Sequence, residues 1–290
     1  MSIVKSISVK NGDMYYIKHG SDNFTIIDCN IVAERENEII NEIKNESKDK
    51  GIVRFISTHP DEDHIFGLDK FDNKMKFVNF YCVKNEVIKD DETEAFLIYC
   101  ELRDSEKAYY VYKGCSRKWM NDSDDERKSA GINICWPILT NKFYIEELEK
   151  TKNGESPNNI CPIISYSYGD MKFVWMGDLE TSFLESIMSH IDLSNITILF
   201  APHHGRKSGQ VPSELLQKLN PKIIIIGEAP SADIHYYSNY NTITQNTAGD
   251  IIFDCDDNAI DIYVSNYDYS VSFLKNKNKA NYQYYIGTLV

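Results

Sequence analysis

Thr58-His59-Pro60-Asp61-Glu62-Asp63-His64 follows the apolar run Ile52-Val53-Arg54-Phe55-Ile56 and precedes Ile65-Phe66-Gly67-Leu68. Two imidazoles and three carboxylates therefore stand at the mouth of a strand whose composition predicts burial. A strand end followed by a tight turn lets His59, Asp61, Asp63 and His64 project toward one point. Burying so many polar groups without a cation would leave them unpaired at a cost of several kcal/mol, so the stretch reads as a metal-ligand loop. The competing reading is a solvated acidic turn. A calcium loop is the weaker alternative, because the glycine and distal glutamate such loops need are missing.

Outward from this loop, two further strand ends carry the same chemistry. Met171 to Met176 runs directly into Gly177-Asp178-Leu179-Glu180, and Ile196 to Phe200 ends in Ala201-Pro202-His203-His204-Gly205. Four of the chain's seven histidines fall in the first and third of these clusters, and none lies between His64 and His190. Strand ends converge in space, whereas charged surface loops do not, which weakens the solvated-turn reading. A carboxylate such as Asp178 can reach between two cations roughly 3.5–4 Å apart, and such a pair activates water without a protein nucleophile.

The remaining elements suit sheets with helices packed outside them. Ile3 to Val9, Met14 to Lys18 and Phe24 to Asp28 are predicted strands, separated by Asn11-Gly12-Asp13 and Gly20-Ser21-Asp22-Asn23, both with turn chemistry. Ala33 to Lys48 places Ile39, Ile40 and Ile43 at helical spacing. Strands are expected at Lys76 to Val83, Ile132 to Trp136, Ile160 to Tyr168, Ile223 to Ile226, Ile251 to Asp254, Ile260 to Val264 and Tyr269 to Leu274. Helices are expected at Glu92 to Lys107, Phe143 to Lys150, Thr181 to His190 and Ser213 to Leu219, with a polar loop over Gly227 to Gly249. No internal repeat or linker divides the chain, so residues 1–290 read as one domain, with an insertion or lid at about 85–135.

The 290 residues carry 31 Lys+Arg against 44 Asp+Glu, a formal net charge of −13, which disfavours a general nucleic-acid or anionic-membrane binder. No apolar stretch is long enough to span a bilayer, and Met1-Ser2-Ile3-Val4-Lys5 opens a strand pattern instead of a signal peptide, so a cytoplasmic protein is expected. The seven cysteines form no C-x-x-C pair and read as reduced core residues.

The three motifs together resemble the metallo-β-lactamase superfamily, and most closely the soluble hydrolase domain of DNA-uptake channel proteins (ComEC-like). In that domain a His-x-Asp-x-Asp-His loop, a Gly-Asp and a Pro-His-His-Gly occur in this order. Here they are His59-Pro60-Asp61-Glu62-Asp63-His64, Gly177-Asp178 and Pro202-His203-His204-Gly205, and the likeness extends from about Asn11 to Ile226. The chain departs from the superfamily where a third-motif histidine is usual: it has Asn158-Asn159, much as uptake-type domains carry asparagine. Arg206 stands in place of a frequent serine and Phe66 in place of a common glycine. The later Gly-His-Pro element is represented at best by Ile234-His235-Tyr236.

The resemblance implies a mixed α/β (α+β) fold, a four-layer αββα sandwich with a dinuclear site at one edge between the sheets. Its expected metal ligands are His59, Asp61, Asp63, His64, Asp178, His203 and His204, holding two divalent ions, Zn or Mn. Asp63, Asp178 and His203 are the expected catalytic residues, and Asn158, Asn159, Arg206, Lys207 and His235 are candidates for substrate contact. The expected activity is metal-dependent hydrolysis by a hydroxide held between the ions, on a phosphodiester of nucleic acid or of a small nucleotide. Hydrolysis of a carbon ester, lactone, thioester or amide, or binding through a degenerate metal site, are the alternatives. The sequence leaves the oligomeric state open.

Overall fold

Alternation along the strands near the N-terminus decides how the layers stack. In the computed structural model, which describes residues 1–75, 79–256 and 258–290, Tyr15 and Tyr16 are neighbours on one strand and point to opposite faces, as the two-residue period of a strand requires. Tyr15 meets Trp175 and Phe200 of a second sheet, with ring centroids 6.0 and 4.8 Å away. Tyr16 instead donates its hydroxyl to Glu42 of a helix, at 2.9 Å. One face of the sheet is thus covered by another sheet and the other by a helix.

The first sheet has nine strands. Its members are β1 (Ser2–Ser6), β2 (Tyr15–Lys18), β3 (Asn23–Ile27), β4 (Ile52–Ile56), β5 (Phe80–Cys82), β6 (Ala108–Tyr110), β13 (Ile251–Asp256), β14 (Ala259–Val264) and β15 (Tyr284–Leu289). They lie in the order β15-β14-β13-β1-β2-β3-β4-β5-β6. The second sheet is built from β7 (Ile132–Trp136), β8 (Ile163–Tyr168), β9 (Met171–Trp175), β10 (Ile198–Phe200), β11 (Ile223–Ile226) and β12 (Thr242–Thr244). Its order is β12-β11-β10-β9-β8-β7. Between the sheets, Phe173 and Phe200 stack with Trp175, and both meet Phe253 edge-on. Large apolar area removed from water here is the main stabilising contribution, at roughly 25 cal/mol per Å².

Helices form the outer layers. α1 (Glu36–Ser47) buries Ile39, Ile40 and Ile43 against the first sheet, while Lys5 and Lys18 pair with its Glu42 and Glu46. α2 (Glu62–Ile65), α3 (Leu68–Met75) and α4 (Glu94–Arg103) follow β4 and β5. On the second sheet, Trp136 packs edge-on against Tyr144 of α5 (Lys142–Lys152) and Phe183 of α6 (Thr181–Ile187). α7 (Ser213–Leu219) precedes β11. The chain is therefore a mixed α/β fold of two facing sheets flanked by helices.

Several expectations need correction. Tyr269 to Leu274 is not a strand: the edge of β14 is taken by Tyr284–Leu289 instead, and an isolated bridge, Lys275 to Thr288, comes just after the expected segment. The polar stretch 227–249 is not all loop, since it contains short helices at Ser231–Ile234 and Gln245–Ala248 and the sheet strand β12. Thr181 to His190 ends as α-helix at Ile187 and closes with a 3-10 turn. The strand expected over Lys76 to Val83 is shorter, Phe80–Cys82, and Lys76, Phe77 and Val78 lie outside the described residues. Residues 85–135 hold α4 and β6, the latter pairing in parallel with β5. All seven cysteines are free.

Candidate metal centre

Parallel pairing brings the ligand-bearing strand ends to one rim. β3 and β4 run parallel, so Asp28 follows β3 beside the loop that leaves β4. β9 and β10 are parallel too, which sets Gly177-Asp178 next to Pro202-His203-His204. Backbone hydrogen bonds join the segments: Asp13 N–H to Asp63 carbonyl at 3.1 Å, Cys29 N–H to His64 carbonyl and His203 N–H to Gly177 carbonyl at 2.9 Å each.

The local backbone is strained where the ligands are aimed. His203 and His204 both sit in the left-handed region, at φ 51° and 57°, and Asp28 does so at φ 55°. For residues with a Cβ this costs of order 1–3 kcal/mol each and persists only where surrounding structure holds it, typically at functional sites. Gly177 also has positive φ, 53°, and a Cβ there would lie 2.7 Å from Cys161 Sγ, so this turn admits only glycine without displacement.

Asp178 is the hub. It is 3% exposed, and its Oδ1 lies 3.2 Å from His64 Nε2. Its Oδ2 lies 3.6 Å from His203 Nε2, 3.6 Å from His204 Nε2 and 4.0 Å from His59 Nε2. Asp63 closes one side, 3.9 Å from His64 Nε2 and 3.5 Å from His204 Nε2. Asp61 closes the other, 3.6 Å from His59 Nε2. The structure thus brings together His59, Asp61, Asp63, His64, Asp178, His203 and His204. Among the described residues His59 Nε2, His64 Nε2, His204 Nε2 and Asp178 Oδ1 are buried without a hydrogen-bond partner. Orphaned buried polar atoms are rare and costly. Four of them converging, all nitrogen or oxygen donors at separations compatible with shared coordination, fit a divalent cation.

Electrostatics say how the cluster balances its charge. Burial would lower His64, but Asp178 and Asp28 hold its pKa well above the ordinary histidine value. Burial likewise opposes His204, and Asp13 and Asp178 push it up to about 10. The reverse holds for the carboxylates: burial would raise Asp178, yet the surrounding imidazoles keep it well below the usual range, and they lower Asp13 and Asp63 as well. Asp61 is lowered by His59 and Lys89 against its own desolvation. Burial lowers His203 below an ordinary histidine. Protons on His64 and His204 thus offset the buried carboxylates, in the place where a metal ion would do so.

Sequence reading passed over several members of this site. Asp13 and Asp28 are 6% and 1% exposed, and each holds the Nδ1 of one imidazole: Asp13 that of His204 at 3.2 Å, Asp28 that of His64 at 2.9 Å. Asp13 looks like a turn residue and Asp28 like the end of a strand, and only their position at the rim distinguishes them. Lys89 was hidden as well; its Nζ donates to Asp61 Oδ1 at 2.8 Å.

The candidate substrate residues lie in different settings. Asn159 is spent on structure, donating to Glu147 and Glu180 and accepting from the Glu180 N–H. Lys207 is exposed, with its N–H on Asp233. His235 is exposed on a 3-10 turn, and Asn158 is buried with its Oδ1 unpartnered among the described residues. Arg206 is half-buried, donates to Asn11 and lies close enough to His203 to lower its pKa.

No protein-family model and no curated protein matches the chain. Among solved structures, it is similar to CmlA, a diiron β-hydroxylase from Streptomyces venezuelae, at 9% identity and a TM-score of 0.44. That match covers 78% of this chain and 44% of the other, so the chain spans less than half of CmlA's length. A proposed zinc-dependent hydrolase of the metallo-β-lactamase superfamily from Thermotoga maritima is also similar, at 11% identity and a TM-score of 0.33, covering 79% of this chain and 77% of the other. No helix among the described residues is long and apolar enough to cross a membrane.

Proposed function

We propose that this chain is a metal-dependent hydrolase of the metallo-β-lactamase type that cleaves phosphodiesters, in nucleic acid or in a smaller nucleotide. The observation that carries the reading is the convergence of His59 Nε2, His64 Nε2, His204 Nε2 and Asp178 Oδ1, all buried and without hydrogen-bond partners. Asp63, His64 and His204 would hold an ion on one side of Asp178, and His59 and Asp61 a second on the other, with His203 at the mouth. Zinc or manganese bound there would supply an activated water and neutralise charge building on the substrate.

The chain's own groups supply the rest. Asp178 sets a full negative charge at the centre, shared among four imidazoles. His203 is the most exposed of the four rings, its side chain 15% accessible, and its lowered pKa keeps it neutral near pH 7. It is therefore the imidazole placed to meet substrate and to take a proton at Nε2. Lys89, on Asp61, and Arg206, near His203, bring positive charge to the site, which suits an anionic substrate oxygen. The net charge of −13 argues for a small or locally gripped phosphodiester over long duplex DNA.

The test is elemental analysis of the purified protein, followed by turnover with the metal found. Cleavage of bis(p-nitrophenyl) phosphate or labelled oligonucleotide, lost in Asp63→Ala, supports the reading. Turnover of a lactone or thioester panel without phosphodiester cleavage would redirect it to carbon esters, and a folded protein that takes up no metal would end it.

A further inference from the structure

The imidazoles of the centre are not equally supported, and the inequality divides the site in two. His64 Nδ1 faces Asp28, whose oxygens are held by the Thr58 N–H at 2.7 Å and the Thr58 hydroxyl at 2.6 Å. His204 Nδ1 faces Asp13, and the Tyr15 hydroxyl donates to that same carboxylate at 2.8 Å. Once an ion displaces the second proton, each ring keeps its hydrogen on Nδ1, turns its Nε2 lone pair to the centre and gains basicity from a buried carboxylate.

On the other side neither support is a carboxylate. Among the described residues His59 Nδ1 has only the Thr58 hydroxyl, at 3.1 Å. That hydroxyl spends its one hydrogen on Asp28, so toward His59 it can only accept. Asp61 is worse placed to receive a cation, because the Lys89 ammonium already stands 2.8 Å from its Oδ1. Carboxylate partners behind a ligating histidine are typically worth 10–100-fold in metal affinity.

Resting on the metal-centre reading above, we infer that the two ion positions fill in order. The half formed by Asp63, His64, His204 and Asp178 binds first and tightly, with Asp13 and Tyr15 as positioning residues for His204. The half formed by His59, Asp61 and Asp178 fills only at metal concentrations about tenfold higher or more, and Lys89 sets that gap. The fully loaded centre is then a function of free metal concentration, and Lys89 is the residue that makes it so.

The experiment is a titration of metal-free protein with Zn²⁺ in competition with a chromophoric chelator, which reads affinity without turnover. The wild type is expected to bind in two steps separated by about tenfold or more. Lys89→Met should leave the first step in place and tighten the second. Asp13→Asn should weaken the first by about 10–100-fold and narrow the gap. Tyr15→Phe, which loses one hydrogen bond and no charge, gives the same direction at smaller size should Asp13→Asn not fold, as judged by far-UV circular dichroism. Two equal steps in the wild type, a second step unmoved in Lys89→Met, or a first step unmoved in the folded Asp13 or Tyr15 variant would overturn the inference while leaving a metal centre in place. Absence of any zinc uptake would overturn both readings together.

Discussion

Replacing Asp178 with asparagine should remove the metal-linked stability of the protein while keeping the shape of the side chain. The carboxylate is 3% exposed and stands 3.2–4.0 Å from four imidazole nitrogens, so it serves both halves of the centre at once. An ion present at about 100 times its Kd stabilises the folded state by about 2.7 kcal/mol. For a chain of 290 residues, at about 2.1 cal/mol/K of unfolding entropy per residue, that corresponds to a rise in Tm of about 4–5 °C for each occupied position. The asparagine offers one neutral oxygen where two charged ones stood, and its amide nitrogen is a donor facing donors. The expected outcome is a zinc-dependent shift in the wild type and less than about 2 °C in Asp178→Asn, measured by thermal unfolding with and without Zn²⁺. His190→Ala, on an exposed ring in the 3-10 turn after α6, should keep the full shift. If Asp178→Asn folds and retains the wild-type shift, Asp178 is not the shared ligand and the centre is built otherwise.

Other consequences follow from the same geometry. His64 and His204 have raised pKa values in the folded metal-free chain, so the stability they contribute is complete below an unfolded histidine value of about 6.5 and is lost as pH rises above it, toward about 10 for His204. Metal-free Tm should therefore fall over that window, whereas zinc affinity should rise across it because binding displaces those protons, as calorimetry in buffers of different ionisation enthalpy would show. At the acid end, the depressed Asp178 contributes stability that is present above about pH 4 and lost as pH falls further. Asp28→Asn should weaken the tighter zinc step by about 10–100-fold in the chelator titration, through His64. Gly177→Ala should cost roughly 2 kcal/mol or more in urea unfolding, since the new Cβ meets Cys161 in a positive-φ turn. Asn159→Ala should cost about 1–3 kcal/mol by the same measure, with zinc stoichiometry unchanged, because its partners are Glu147 and Glu180.

Most of what a strand-and-turn reading needs is local, and that part was legible before any coordinates. Apolar runs ending in His59-Pro60-Asp61-Glu62-Asp63-His64, Gly177-Asp178 and Pro202-His203-His204 are local signals, because burial of a strand and polarity of its exit are both written in consecutive residues. The expected strand at Tyr269 to Leu274 shows where such reading stops. Whether an alternating segment joins a sheet depends on whether an edge is vacant, and β15 had taken it.

The sequence by itself determined which residue types stand at the strand exits and that they suit a cation. Tertiary structure alone decided which carboxylates stand behind which rings. Asp13, Asp28 and Lys89 carry no distinguishing local pattern, and they enter the site because a turn, a strand end and a loop from distant parts of the chain meet at one rim. Coordination strength and order of filling depend on those through-space partners at about 3 Å, a distance that spacing along a chain does not encode.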